Sequence, residues 1–66
     1  MTKKDYINIA KVLKDARPER RDISDFGEFV QAVCRWGIIV HNMSEMFKED
    51  NTLFNVDKFL SAVGID

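Results

Sequence analysis

Cys34, His41 and Ser44 fall close together in a 66-residue chain that holds one cysteine and one histidine. They are the residues from which nucleophilic chemistry would have to be built. A thiol or hydroxyl becomes a working nucleophile when a base sits about 3 Å away. In a helix, seven residues separate Cys34 from His41 by about 10.5 Å of axial rise, so that pair fails. His41 and Ser44, three residues apart, share a helix face. However, no third residue is placed to orient the imidazole, and no glycine-rich turn offers an oxyanion hole. Cys34 therefore reads as a small buried hydrophobe and His41 as a shoulder residue at the edge of a core.

Metal and nucleotide chemistry find no better support. One histidine and one cysteine do not make a zinc site. The stretch "EDNTLFNVD" carries oxygen ligands, but it lacks the Asp-x-Asp/Asn-x-Asp/Asn-Gly order and the closing glutamate of a calcium loop. Asp50, Asn51 and Asn55 read instead as turn and cap residues. Three glycines are spread too widely for a phosphate-binding loop or dinucleotide fingerprint. The expectation is a protein without enzymatic activity and without a cofactor.

Charge suggests partners rather than reactions. Net charge is −1, yet residues 1–21 carry +4 and residues 22–66 carry −5. Lys11, Lys14, Arg17, Arg20 and Arg21 form the basic concentration. Arg17, Arg20 and Arg21 are the candidate polar contacts, either for nucleic acid or for a small anionic signalling ligand held between subunits. Against nucleic acid, acids alternate with these bases, and no short helix-turn-helix pair with a polar recognition helix is visible.

The elements that would position these residues can be read from spacing. The composition, 45% apolar and 32% charged, is that of one globular domain near the lower size limit for independent folding. No apolar run is long enough to span a bilayer, and the start has no signal-peptide pattern. A lone cysteine fits a reducing compartment, so the expected location is the cytoplasm.

Tyr6, Ile9, Ala10, Leu13 and Ala16 recur at helical spacing, with Val12 widening the stripe. Thr2 and Asp5 can form a capping box before them, and Pro18 should end the helix near Ala16. Lys3 and Lys4 sit unfavourably at the positive end of that helix. "RPERRDIS" reads as a loop, with Asp22 or Ser24 capping a second helix from about Asp25 to Glu49.

On that helix Phe26, Phe29, Val33, Trp36, Val40, Met43 and Phe47 share one face and obey a heptad. Ala32, Ile39, Met46 and Val30 widen it to an arc of about 200°. Gly37 lies within the arc, where it costs about 1 kcal/mol relative to alanine. Its expected use is a close approach of another backbone, or a kink. Ile38 falls among the polar positions and wants a cover. In the third helix, Asn55 is the cap, Phe54 and Phe59 the hydrophobic staple, and Gly64 with Ile65 the helix end.

The predicted fold is therefore all-α: three helices over about 3–16, 25–49 and 55–63 in one domain spanning 1–66, with long helix 2 as the spine. Helices 1 and 3 are expected to pack on its broad face. Should short helix 3 leave part of that face open, Trp36, Ile38, Val40 and Met43 become the expected interface positions, most simply between two copies in a homodimer.

Two segments carry a resemblance. "MTKKDYINIAKVLKDARPE" (1–19) and "DNTLFNVDKFLSAVGI" (50–65) resemble short phage- and prophage-encoded proteins of unknown function. That group commonly ends in Asp-Asn-Pro-x-Phe-Asp followed by Phe-Leu-x-Ala-Cys-Gly. Asp50, Asn51, Phe54, Phe59, Leu60, Ala62 and Gly64 match, whereas Thr52, Asn55 and Val63 stand where the group has proline, aspartate and cysteine. The resemblance implies no catalytic residues. It implies a phage accessory protein that acts by binding a host protein, components of host defence included.

Overall fold

The computed structural model describes residues 1–65 and contains three α-helices: α1 (Lys3–Asp15), α2 (Phe26–Asp50) and α3 (Val56–Val63). Among the described residues there is no strand. Each helix begins where a polar side chain can satisfy the free N–H groups of the first turn. At α1 the Thr2 hydroxyl accepts from the Asp5 N–H at 3.3 Å, and the Asp5 carboxylate accepts from the Thr2 N–H at 2.8 Å. This is a reciprocal capping box. The Thr2 backbone N–H is the main reason the Asp5 carboxyl is held below its usual range, with the Thr2 hydroxyl adding to it.

α1 ends on Asp15, with Ala16 as its last cap. The segment that follows is more ordered than a plain loop. Arg20–Asp22 form a 3-10 turn, in which the Arg20 guanidinium donates back to the carbonyls of Ile23 at 2.6 Å and Ser24 at 3.2 Å. Because Asp22 is built into that turn, neither it nor Ser24 caps α2. Asp25 does, accepting from the Glu28 N–H at 2.9 Å.

α2 has 25 residues, about 37 Å of rise. It sets the long dimension of a molecule measuring 40 × 18 × 17 Å. The helix runs unbroken through Gly37. Apart from its chain neighbours and the helix's own backbone, no atom lies within 4 Å of where a Gly37 Cβ would stand, so the expected approach of another backbone is absent among the described residues. At the far end the Asn51 side chain accepts from the Leu53 N–H, and Lys48 Nζ donates to the carbonyls of Thr52 at 2.6 Å and Phe54 at 3.3 Å. These bonds turn the chain tightly into α3.

At α3, Asn55 accepts from the Lys58 N–H at 3.0 Å, and Phe54 meets Phe59 with ring centroids 5.5 Å apart. The staple anticipated from the sequence is present. Gly64 takes the left-handed conformation at φ 103°. The Ile65 N–H then reaches the Leu60 carbonyl at 2.8 Å, closing a Schellman-type end.

The core sits at one end of the spine. Tyr6, Phe47, Phe54 and Phe59 form an aromatic cluster with centroid separations of 4.6–5.5 Å. Tilted and edge-on pairs of this kind contribute about 0.5–1.5 kcal/mol each beyond their buried area. Ala10, Trp36, Val40 and Val63 complete the buried apolar set. Both short helices are expected on the broad face of α2, and α3 packs there, while α1 packs chiefly on α3 and less on α2.

Among the described residues, a single hydrogen bond ties α1 to the middle of α2. The Ala16 and Arg17 amides bond to Val12 and Lys14 at 3.0 and 3.2 Å, passing over the Leu13 carbonyl. The indole N–H of Trp36 fills that carbonyl at 2.8 Å.

Candidate functional site

The three residues with nucleophilic or basic chemistry are dispersed by the helix that carries them. Cys34 is exposed, which corrects the expectation of a buried thiol. It lies on the side of α2 facing away from α1 and α3. His41 is exposed as well. Ser44 is buried, and its hydroxyl donates to the His41 carbonyl at 2.7 Å; the contact between these two residues runs through the backbone and leaves the imidazole out. Among the described residues, no three His, Cys, Asp or Glu side chains cluster closely enough to hold a metal ion.

The four expected interface residues separate. Val40 is fully buried and Trp36 is 8% exposed. Both belong to the core, and neither can serve as a seam for a partner. The reason is that α1 and α3 close over α2 from Trp36 to Phe47. Met43 is half-buried and packs against the same core. Ile38 alone is open, at 59% exposure.

Arg17, Arg20 and Arg21 all lie on the surface, but each has an intramolecular role. The Arg17 guanidinium stands 5.5 Å from the Trp36 ring and donates to the Gly64 carbonyl at 3.5 Å. Arg20 lies over the rings of Phe26 and Phe29 at 5.5 and 5.9 Å, shading the uncovered start of α2. Arg21 pairs with Glu19 at 2.6 Å. Folding also dilutes the charge asymmetry of the sequence. The start of the chain lies beside the end of α2, where Met1 borders one depression with Glu49 and Asp50.

The surface that sequence reasoning missed lies between α1 and the turn before α3. Met1, Tyr6, Ile7, Leu53, Phe54 and Lys58 are among the residues that line an open hollow of about 510 Å³ there. Its rim is apolar and wet: Leu53 is 91% exposed, with Met1 and Ile7 both above half. Ile7 stands one step off the Tyr6–Ile9–Leu13 stripe, where helical spacing alone does not mark it. Leu53 did leave a signal, being a large aliphatic residue that follows Asn51 and Thr52 in a turn and belongs to no helical stripe. The Lys48 and Asn51 hydrogen bonds fix that turn, so Leu53 is presented from a defined backbone.

Among the described residues, no helix is long and apolar enough to cross a membrane. Compared with protein-family profiles, curated proteins and solved structures, the chain matches none.

Proposed function

We propose that this protein acts without catalysis, by binding another protein, and that the hollow between α1 and the Asn51–Asn55 turn is where the partner docks. The observation that carries the reading is Leu53. A leucine at 91% exposure on a turn held by four side-chain and backbone hydrogen bonds has no folding role, and exposed apolar groups around a concavity are the usual mark of a protein-recognition site. Lys3 and Lys58 at the margin would add polar contacts to an apolar centre. The resemblance of residues 1–19 and 50–65 to phage- and prophage-encoded proteins makes a host protein the natural partner, components of host defence included, with the bacterial cytoplasm as the place of action.

Leu53→Asp and Ile7→Asp test this, because both positions are exposed and the fold should survive. Immobilised wild-type protein should retain a partner equally at low and high salt, and both variants should lose it while keeping native circular dichroism. Retention that is indifferent to both substitutions would sink the reading. So would retention of nucleic acid that falls steeply with salt, which would return attention to Arg17, Arg20 and Arg21.

A further inference from the structure

Lys3 and Lys58 occupy positions where an acid would stabilise the helix better. Lys3 is the first residue of α1 and Lys58 the third of α3. Both sit in a first turn, whose free N–H groups carry partial positive charge and favour Asp or Glu. At position 58 a glutamate could also bond back to the Asn55 N–H, as in a capping box. Nothing in the fold compensates. Among the described residues the ion pairs are those of Arg21 with Glu19 and Asp22, and the one lysine with a hydrogen bond is Lys48. Yet the two unpaired lysines, from different helices, line the same hollow, which has no Asp or Glu in its lining.

The other polar groups of the lining lean the same way. The Asn51 and Asn55 side-chain oxygens are taken, by the Leu53 N–H at 3.1 Å and the Lys58 N–H at 3.0 Å. The main-chain carbonyls of the same two residues accept from Phe54 and Phe59 at 2.9 and 3.1 Å, and the Phe54 carbonyl accepts from Lys48. What remains on these side chains is donors: two ammonium groups and two carboxamide NH2 groups, beside the aliphatic rim of Met1, Ile7 and Leu53. We propose, resting on this hollow as the docking site, that it takes a segment of the partner protein in which a large apolar side chain is flanked by Asp or Glu. The apolar group enters between Ile7 and Leu53, and the carboxylates meet Lys3 and Lys58. A basic segment would be repelled. A small amphiphilic anion would leave the exposed rim at Leu53 in water, whereas small-ligand sites enclose most of what they bind. Single-stranded nucleic acid needs open rings to stack on, and Tyr6, Phe54 and Phe59 are buried or half-buried against their neighbours.

Selection of a random-sequence peptide library on the immobilised protein tests the proposal. Peptides whose binding is lost in Leu53→Asp should carry Asp or Glu beside Leu, Ile or Phe. The doubly substituted Lys3→Glu/Lys58→Glu protein should bind them about tenfold more weakly, two ion pairs being removed and two repulsions added. It should prefer versions of the same peptides in which Lys replaces each acid. It should also melt no lower than wild type, since both glutamates suit their helix starts, so the loss cannot come from unfolding. Added salt should raise the dissociation constant only severalfold, because it screens the two exposed charges and not the apolar centre. Leu53-dependent peptides that lack acids, or that the charge-reversed protein holds equally well, overturn the proposal and leave the docking site standing. Tighter Leu53-dependent binding of dodecanoate or of a single-stranded oligonucleotide overturns it too. If no peptide depends on Leu53, the hollow is not the docking site and both readings fall.

Discussion

Trp36 is the residue on which the joint between α1 and α2 rests, and replacing it gives a loss that can be worked out in advance. The indole N–H donates to the Leu13 carbonyl at 2.8 Å, the carbonyl left over when the Ala16 and Arg17 amides bond elsewhere. Trp36→Phe removes the donor and leaves that carbonyl without a partner in a partly buried site, which costs about 1–2 kcal/mol. The smaller ring gives up a further area worth about 1 kcal/mol. A phenyl ring can still stack under Arg17, so little is lost there. The total is about 2–3 kcal/mol, against the 3–5 kcal/mol that a single small core ordinarily supplies.

For a domain of this size that loss lowers Tm by about 10–20 °C. Thermal and urea unfolding followed at 222 nm would measure it. A benzothienyl isostere at position 36 keeps the shape and lacks the N–H, so it should account for about 1–2 kcal/mol by itself. If Trp36→Phe costs less than about 0.5 kcal/mol, or if the isostere costs nothing, the indole bond does not join these helices and the account of α1 docking is wrong.

Two further outcomes follow from the helix ends. The Asp5 carboxyl is held below its usual range, so the capping box contributes stability that is fully present above the unfolded value near pH 4 and is lost as pH falls through the lower folded value. The stability difference between wild type and Asp5→Asn should therefore be constant at neutral pH and shrink below about pH 4; a difference independent of pH would refute the assignment. Gly64 has φ 103°, and its nearest obstacle to a Cβ is Arg17 Nη1 at an unstrained 3.7 Å. Gly64→Ala should cost about 1–2 kcal/mol through the backbone alone, whereas D-alanine in a synthetic chain should cost almost nothing. Equal losses for the two would show that space, and not handedness, governs the site.

The helices themselves were legible in the sequence because their signals are local. An N-terminal cap needs a polar side chain two or three residues from the amide it serves, and Thr2, Asp5 and Asn55 act where spacing places them, as does Gly64 through its left-handed backbone at the end of α3. The spacing places the start of α2 correctly and leaves only its cap undecided between neighbouring polar residues. Asp22 is as good a cap as Asp25 in isolation, and only the 3-10 turn, with Arg20 reaching back to Ile23 and Ser24, decides between them. The candidate sites were less legible, since exposure is not a property of a single helix. Trp36, Val40, Phe26 and Ile39 belong to one apolar arc, and the helical wheel cannot rank them.

The sequence by itself determined that there are three helices, where each begins and ends to within a residue or two, and that α2 carries more apolar surface than one neighbour can cover. Tertiary structure decided which part of that surface stays open. α1 and α3, of 13 and 8 residues, close over the stretch from Trp36 to Phe47 and bury Trp36 and Val40 there. They do not reach the start of α2, where Phe26 remains 64% exposed, nor its far side, where Cys34 and Ile38 meet water. The reason is geometric: two short helices joined to the ends of a long one can pack along only part of its length, and the residues beyond their reach are left for something else to cover.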